Sequence, residues 1–121
     1  MRVIFDIETD GFLEEATQIH SIVIKDIDTG QLFSYHGETI GKGLYLLSGA
    51  SLLVGHNILK FDLQVIKKLH PEYIIDGEVL DTLLVSRLIW TDRKEQDFRM
   101  KELPLKLAGR HSLESWGYRL G

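Results

Sequence analysis

A strand that ends in two carboxylates constrains this chain more than any other stretch. Residues 3–11 read VIFDIETDG, and Asp6 and Glu8 stand two positions apart, so in a strand both point to the same face. Their Cα atoms would be about 6–7 Å apart. At that distance like charges raise each other's pKa unless a cation lies between them. A divalent metal would relieve the repulsion; an edge strand with both carboxylates in water is the alternative interpretation.

Size and composition limit the class of protein. The chain has 121 residues, 44% of them hydrophobic, which suits one compact domain. It has no cysteine, so we expect no disulfides and no thiolate metal site, and hard cations are favoured over zinc. No apolar run approaches the roughly 20 residues of a membrane span, and no signal peptide is recognisable. A cytoplasmic protein is expected.

The net charge of −4 argues against a domain that holds nucleic acid by bulk electrostatics. It does not argue against an enzyme that grips phosphates through metal ions. A mixed-charge run at residues 91–110 is predicted to be a long loop. Its basic residues could touch a nucleic-acid backbone, but a solvated loop is the preferred interpretation.

The hydrophobic pattern predicts an α/β protein whose first three strands form an antiparallel meander. A final helix is expected after Ser112, with Trp116 in its core-facing stripe. The predicted strands cover residues 2–8, 18–26, 31–35, 51–55 and 74–80, and the predicted helices cover residues 40–48, 58–69 and 83–90.

A third carboxylate interrupts the apolar stripe of the second predicted helix. Ile58, Phe61, Val65 and Ile66 lie on one helical face, and Asp62 occupies the i+4 position of that stripe. Asp62 is therefore predicted to point inward, where unpaired carboxylates are rare and costly. A capping role, or a salt bridge to Lys60 or Lys67, is the structural alternative.

If this helix packs across the sheet, Asp6, Glu8 and Asp62 would converge. Carboxylate oxygens suit Mg²⁺ or Mn²⁺, and two such ions about 4 Å apart could activate a water and stabilise the leaving oxygen of a phosphodiester. The pattern thus indicates nuclease-type chemistry.

Two further motifs have structural explanations as well as functional ones. In the loop at residues 55–57, Gly55 would let the backbone approach a ligand and Asn57 would offer a donor and an acceptor, but Asn57 could simply cap the next helix. The pair Asp81 and Thr82 could support the site, although an N-cap is the preferred interpretation. The remaining histidines are scattered and read as surface or packing residues: His20, His36, His70 and His111.

These motifs resemble a known family. Residues 5–11, FDIETDG, are similar to the first motif of the DEDD, or DnaQ-like, 3′–5′ exonucleases, and residues 55–62, GHNILKFD, to the second. The runs at residues 81–89 and 111–121 resemble the N-terminal proofreading exonuclease domain of family A DNA polymerases from short-tailed bacteriophages. The resemblance covers essentially the whole chain.

The resemblance implies a ribonuclease H-like fold, a mixed sheet flanked by helices. It implies a two-metal, Mg²⁺- or Mn²⁺-dependent exonuclease that acts on the 3′ end of single-stranded DNA in the bacterial cytoplasm, with a polymerase domain expected in the full-length chain. Asp6, Glu8 and Asp62 match three of the family's four metal-binding carboxylates. The implied substrate-binding residues are Thr9, Asp10, Gly11, Phe12, Leu13, His56, Asn57 and Phe61.

The chain departs from the family at the third motif, which supplies a fourth carboxylate and a Tyr or His general base on a late helix. An aspartate four residues after Tyr118 would fall beyond Gly121. We therefore expect residues 1–121 to form a single partial, C-terminally incomplete exonuclease domain with little activity. The alternatives are a non-catalytic module that binds nucleic acid or protein, and an RNA-processing exonuclease of the same superfamily.

Overall fold

The computed structural model describes residues 1–89 and 112–113. It divides into two compact units, Met1–Asp81 and Thr82–Gly121. The predicted loop at residues 91–110 and nearly all of the predicted final helix, Trp116 included, lie outside the described residues.

The first three strands form the predicted antiparallel meander. They are β1 (Arg2–Thr9), β2 (Ile19–Asp26) and β3 (Leu32–His36), with β2 paired to both neighbours. Alternation fixes the faces of β1, because Val3, Phe5 and Ile7 are buried while the positions between them are exposed. The two carboxylates of β1 therefore lie on the face opposite the core.

Helix α1 (Ile40–Ser48) follows a 3₁₀ turn (Gly37–Thr39), despite the glycines that weaken its helix propensity. Gly43 has a packing reason. A Cβ there would lie 2.8 Å from Cδ2 of Tyr35, so glycine lets α1 sit directly against β3. The predicted helix is confirmed at its full length.

Two parallel strands complete the sheet. They are β4 (Leu52–Gly55) and β5 (Glu78–Asp81), and the strand order is β3-β2-β1-β4-β5. The prediction that the last strand begins at residue 74 is wrong, because pairing starts only at Glu78. Just before it, Gly77 passes so close to Ala50 that a Cβ would lie 2.3 Å from the Ala50 carbonyl oxygen.

A short π-helical turn (Ile58–Asp62) leads into α2 (Leu63–Leu69) between β4 and β5. The sequence predicts one continuous α-helix here, and hydrophobic periodicity does not distinguish a π turn from the first turn of an α-helix. In the second unit, α3 (Thr82–Ile89) occupies nearly the predicted span.

The core of the first unit lies between one face of the sheet and the two helices α1 and α2. Its fully enclosed side chains come from strands and helices alike, as expected for an α/β fold. The largest of them are Ile22, Ile24, Leu44, Leu47, Leu53, Ile58, Ile66, Val3 and Val65.

Candidate active site

The site begins where β1 outruns its parallel neighbour. Pairing of β1 with β4 runs from Arg2↔Leu52 to Ile4↔Val54 and then stops. The chain leaves β4 at Gly55, where a Cβ would lie 2.3 Å from Cγ2 of Ile58 and 3.0 Å from the Phe5 carbonyl oxygen. Glycine thus lets the π-helical turn close against the end of β1.

Asp62 lies at the end of that turn, and its side chain reaches the part of β1 that β4 leaves unpaired. Its Oδ2 accepts a hydrogen bond from the Ile7 N–H at 3.2 Å, a donor beyond the last β1–β4 pair. The residue is only 3% exposed, which confirms the predicted inward orientation. Neither structural alternative is observed: Asp62 makes no side-chain cap bond, and the ion pairs among the described residues do not include it.

The electrostatics of Asp62 are those of a buried acid among other acids. Desolvation by burial raises its pKa to about 7, and the negative charges of Asp6 and Asp81 add to the rise. The Ile7 N–H opposes the shift by stabilising the carboxylate. A cation at this position would favour the ionised form.

Asp6 connects Asp62 electrostatically to Glu8. Although Asp6 lies on the exposed face of β1, surrounding protein partly desolvates its carboxyl, and this raises its pKa, with a further contribution from Glu8. Asp6 thus interacts with both of the other predicted metal ligands.

The three carboxylates do not form a preformed cage. Within residues 1–89 and 112–113, no group of three or more Asp, Glu or His side chains is arranged so that it could hold a metal ion. The donor chemistry nevertheless fits Mg²⁺ or Mn²⁺, which take carboxylate oxygens and retain several waters. The convergence of Asp6, Glu8 and Asp62 on one metal site remains a prediction.

Asp81 holds the start of the second motif. Its two carboxylate oxygens accept the backbone N–H groups of Asn57 and Leu59, at 2.8 and 3.0 Å. The N-cap that the sequence suggests for the helix after Asp81 stays a prediction; the two bonds described here reach back more than 20 residues to the turn that carries Asp62. The position of Asp81 at the end of a predicted strand is the only local signal, and it does not indicate these distant partners.

Asn57 stands at the N-cap position of the π-helical turn, but its side chain does not act as a cap. Its side chain makes no capping hydrogen bond, and its backbone is left-handed, with φ of 61°, a conformation that asparagine tolerates better than most residues. Its carbonyl instead accepts the Phe61 N–H at 3.1 Å. His56, Asn57 and Phe61 are all half-buried in this segment, and their contact with substrate remains a prediction.

The first-motif loop, defined as residues 9–18, has its own internal hydrogen bonds. The Asp10 carboxylate accepts from the Thr17 hydroxyl and from the backbone N–H groups of Thr17 and Gln18. The Thr17 side chain is the main reason that the pKa of Asp10 is lowered to about 2. Thr9 donates its hydroxyl to the Gly11 carbonyl at 2.7 Å. The Asp10 bonds join the two ends of the loop.

The tip of the first-motif loop presents an aromatic ring to solvent. Phe12 is 81% exposed, while its carbonyl accepts the N–H groups of Glu15 and Ala16. Leu13 is half-buried and packs on the core. Lys68 of α2 donates to three carbonyls of this loop, a contact without any local sequence signal.

The sequence is similar to part of two phage DNA polymerases. The DNA-directed DNA polymerases of Escherichia phage T7 and Enterobacteria phage T3 are each 37% identical to the chain over 132 aligned positions, which include 98% of the chain. The chain resembles one segment of these polymerases. It spans about a fifth (19%) of the length of these curated relatives. No family model matches the sequence.

A solved structure supports the fold. The family B DNA polymerase of the hyperthermophilic archaeon Pyrobaculum calidifontis superimposes with a TM-score of 0.55 at 11% identity, covering 98% of this chain and 21% of that one. The predicted α/β class, with a mixed ribonuclease H-like sheet, is confirmed. Among the described residues no helix has both the length and the apolar character needed to cross a bilayer.

Proposed function

We propose that this chain is part of the 3′–5′ proofreading exonuclease of a DNA polymerase, a metal-dependent enzyme that hydrolyses phosphodiesters at the 3′ end of single-stranded DNA. The observation that carries the proposal is the buried Asp62 carboxylate, bonded to β1 between the two exposed carboxylates Asp6 and Glu8. Similarity to two phage polymerases supports it and suggests the bacterial cytoplasm as the setting, with a polymerase domain as partner.

Asp6, Glu8 and Asp62 would hold two Mg²⁺ or Mn²⁺ ions. Bound ions of this kind activate a water and neutralise the charge of the leaving oxygen. The role of the three side chains is to supply anionic oxygens. For Asp6 and Asp62, burial and the repulsion of neighbouring carboxylates disfavour the ionised form when no cation is present.

The first-motif loop would bind the terminal nucleotide. Phe12 offers an exposed aromatic face directly after the carboxylate strand, and stacking on such a face accepts any base. Leu13 would back this contact, and Thr9, Asp10 and Gly11 would fix the backbone. In the second motif, His56, Asn57 and Phe61 would contact the strand.

The 121 residues supply three of the expected carboxylates but not the expected base. No Tyr or His in the sequence is followed by Asp four residues later. We therefore expect this polypeptide alone to bind metal and 3′ ends but to hydrolyse DNA slowly.

One observation favours a second candidate, a non-catalytic nucleic-acid-binding module of the same fold. The described residues contain no preformed group of three metal-ligating side chains. In that case single-stranded DNA would bind equally well with and without divalent cation. A preference for RNA would identify the third candidate, an RNA-processing exonuclease.

The decisive experiment measures Mn²⁺ binding by calorimetry and by thermal shift at pH 8. We expect stabilisation of the native chain and its loss in Asp6→Asn and Asp62→Asn. Asp76→Asn, which changes an exposed aspartate, should behave like the native chain. Equal Mn²⁺ binding by all four proteins would refute the metal site.

A second assay defines the reaction. The chain is incubated with 5′-labelled single-stranded DNA, duplex DNA or RNA in Mg²⁺, and products are resolved at single-nucleotide length. We expect binding to single-stranded 3′ ends with slow shortening. Rapid shortening that Asp6→Ala abolishes would contradict the expected low activity, and indifference to the 3′ end would contradict the exonuclease proposal.

A further inference from the structure

The contact between Lys68 and the first-motif loop extends the proposed function, on which this inference rests. The Lys68 ammonium lies 2.9 Å from the Leu13 carbonyl oxygen and 3.1 Å from those of Glu14 and Ala16. A lysine ammonium has three N–H donors, and here each meets a backbone carbonyl. One side chain of α2 thus binds three carbonyls from a four-residue stretch of the loop, residues 13–16.

This contact joins two parts of the candidate site. The loop begins directly after Glu8, and α2 begins directly after Asp62. The Asp10 carboxylate joins the two ends of the loop through Thr17 and Gln18, whereas Lys68 binds carbonyls within residues 13–16. Between these two anchors the Phe12 ring is left 81% exposed.

We infer that Lys68 is a positioning residue: it fixes the first-motif loop on α2, so that Phe12 is presented to the terminal base of a single strand. The amino group touches only backbone carbonyls in this contact, and it acts on substrate through the loop. A loop without this support would lose conformational entropy when Phe12 stacks on a base. A loop that is already fixed by Lys68 does not incur that cost.

Lys67 provides a matched control. It is the neighbouring lysine on the same helix and is exposed. Of the two lysines, Lys68 is the one that donates to the loop carbonyls. Lys67→Met therefore removes an equal charge and keeps the helix length. Lys68→Met removes the three donors, and Lys68→Arg retains a charged multiple donor.

The first measurement needs no DNA and is amide hydrogen exchange of the 121-residue chain. In Lys68→Met we expect exchange at Glu15, Ala16 and Thr17 to rise about tenfold or more. Lys67→Met should leave it unchanged, and Lys68→Arg should restore part of the protection. Unchanged exchange in Lys68→Met would overturn the inference, whatever the chain binds.

The second measurement uses single-stranded DNA with 2-aminopurine at its 3′ terminus. Stacking on Phe12 should quench its fluorescence, and Lys68→Met should weaken both quenching and affinity about fivefold or more, with Mn²⁺ binding retained. Loss of Mn²⁺ binding together with DNA binding would indicate general damage and refute a positioning role. Native chain that fails to bind DNA would refute the proposed function, while the exchange data would still decide the role of Lys68.

Discussion

The Asp62 carboxylate accepts the backbone N–H of Ile7, a residue 55 positions earlier, at 3.2 Å. The bond is possible because β4 stops pairing with β1 at Ile4↔Val54, which leaves the following donors on that edge of β1 to another partner. A side chain, rather than a strand, therefore completes the sheet at the point where the candidate metal ligands stand.

Asp62→Asn should stabilise the protein at alkaline pH. Asparagine keeps the acceptor for the Ile7 N–H but removes a buried charge that interacts unfavourably with Asp6 and Asp81. At pH 8 we expect the free energy of unfolding to rise by about 1–3 kcal/mol, as measured by urea denaturation followed by circular dichroism. The gain should vanish near pH 5, where Asp62 is protonated. A variant less stable than the native chain at pH 8 would contradict this account.

The native chain should lose stability as pH rises from about 4 to 7. In the folded state Asp62 has a pKa of about 7, whereas an unfolded aspartate titrates near 4. The folded protein then binds the extra proton between about pH 4 and 7, and stability falls across that window by up to about 1.4 kcal/mol per unit. Saturating Mn²⁺ should flatten the slope. A stability that rises from pH 5 to 7 without metal would oppose the raised pKa.

Asp81→Ala should loosen the second motif. It removes the acceptor of the Asn57 and Leu59 N–H groups, and leaving such donors without their partner costs about 1–3 kcal/mol. Mn²⁺ affinity should fall as well, because the turn that carries Asp62 is no longer held. Asp76→Ala is the control. Thermal melts and Mn²⁺ titrations that do not distinguish the two variants would show that these bonds are unimportant.

Phe12→Ala should weaken DNA binding without affecting folding. The ring is 81% exposed, so its removal exposes no core, while loss of one base–aromatic stack costs about 1–3 kcal/mol. Fluorescence anisotropy with a single-stranded oligonucleotide measures the change. Leu32→Ala, at a residue that is 65% exposed on β3, is the control. Equal affinities for the two variants would exclude Phe12 as a stacking platform.

Gly55→Ala should displace the turn that carries Asp62. The added Cβ would meet the Ile58 side chain at 2.3 Å and the Phe5 carbonyl at 3.0 Å, an overpacking that costs about 1–3 kcal/mol. Gly49→Ala, whose nearest neighbour would be 3.8 Å away, should be close to neutral. Melting temperatures of the two variants provide the comparison, and similar values would be inconsistent with this packing.

Local periodicity was sufficient for much of the fold. The two-residue period of β1 predicts its faces, and an aspartate within an apolar stripe predicts the burial of Asp62. Both signals are local properties of the sequence. The meander follows from tight turns such as the one after Asp26, whose carboxylate accepts the Asp28 N–H at 2.8 Å.

Contacts between distant segments were not predictable in the same way. Two partners of Asp81 lie more than 20 residues earlier, and Lys68 contacts carbonyls more than 50 residues away. Capping was one of two interpretations of Asn57, suggested by its residue type, but its backbone lies at a positive φ and its side chain makes no capping bond. Tertiary structure, not local preference, decides these positions.

The early end of the β1–β4 ladder gives the protein an internal reporter. Any cation that draws the Asp62 carboxylate toward itself competes with the Ile7 N–H for the same oxygen. The amide proton of residue 7 should therefore change its chemical shift and exchange rate when the site fills. Occupancy of the metal site can then be monitored from a backbone signal in the sheet, with neither substrate nor catalytic turnover.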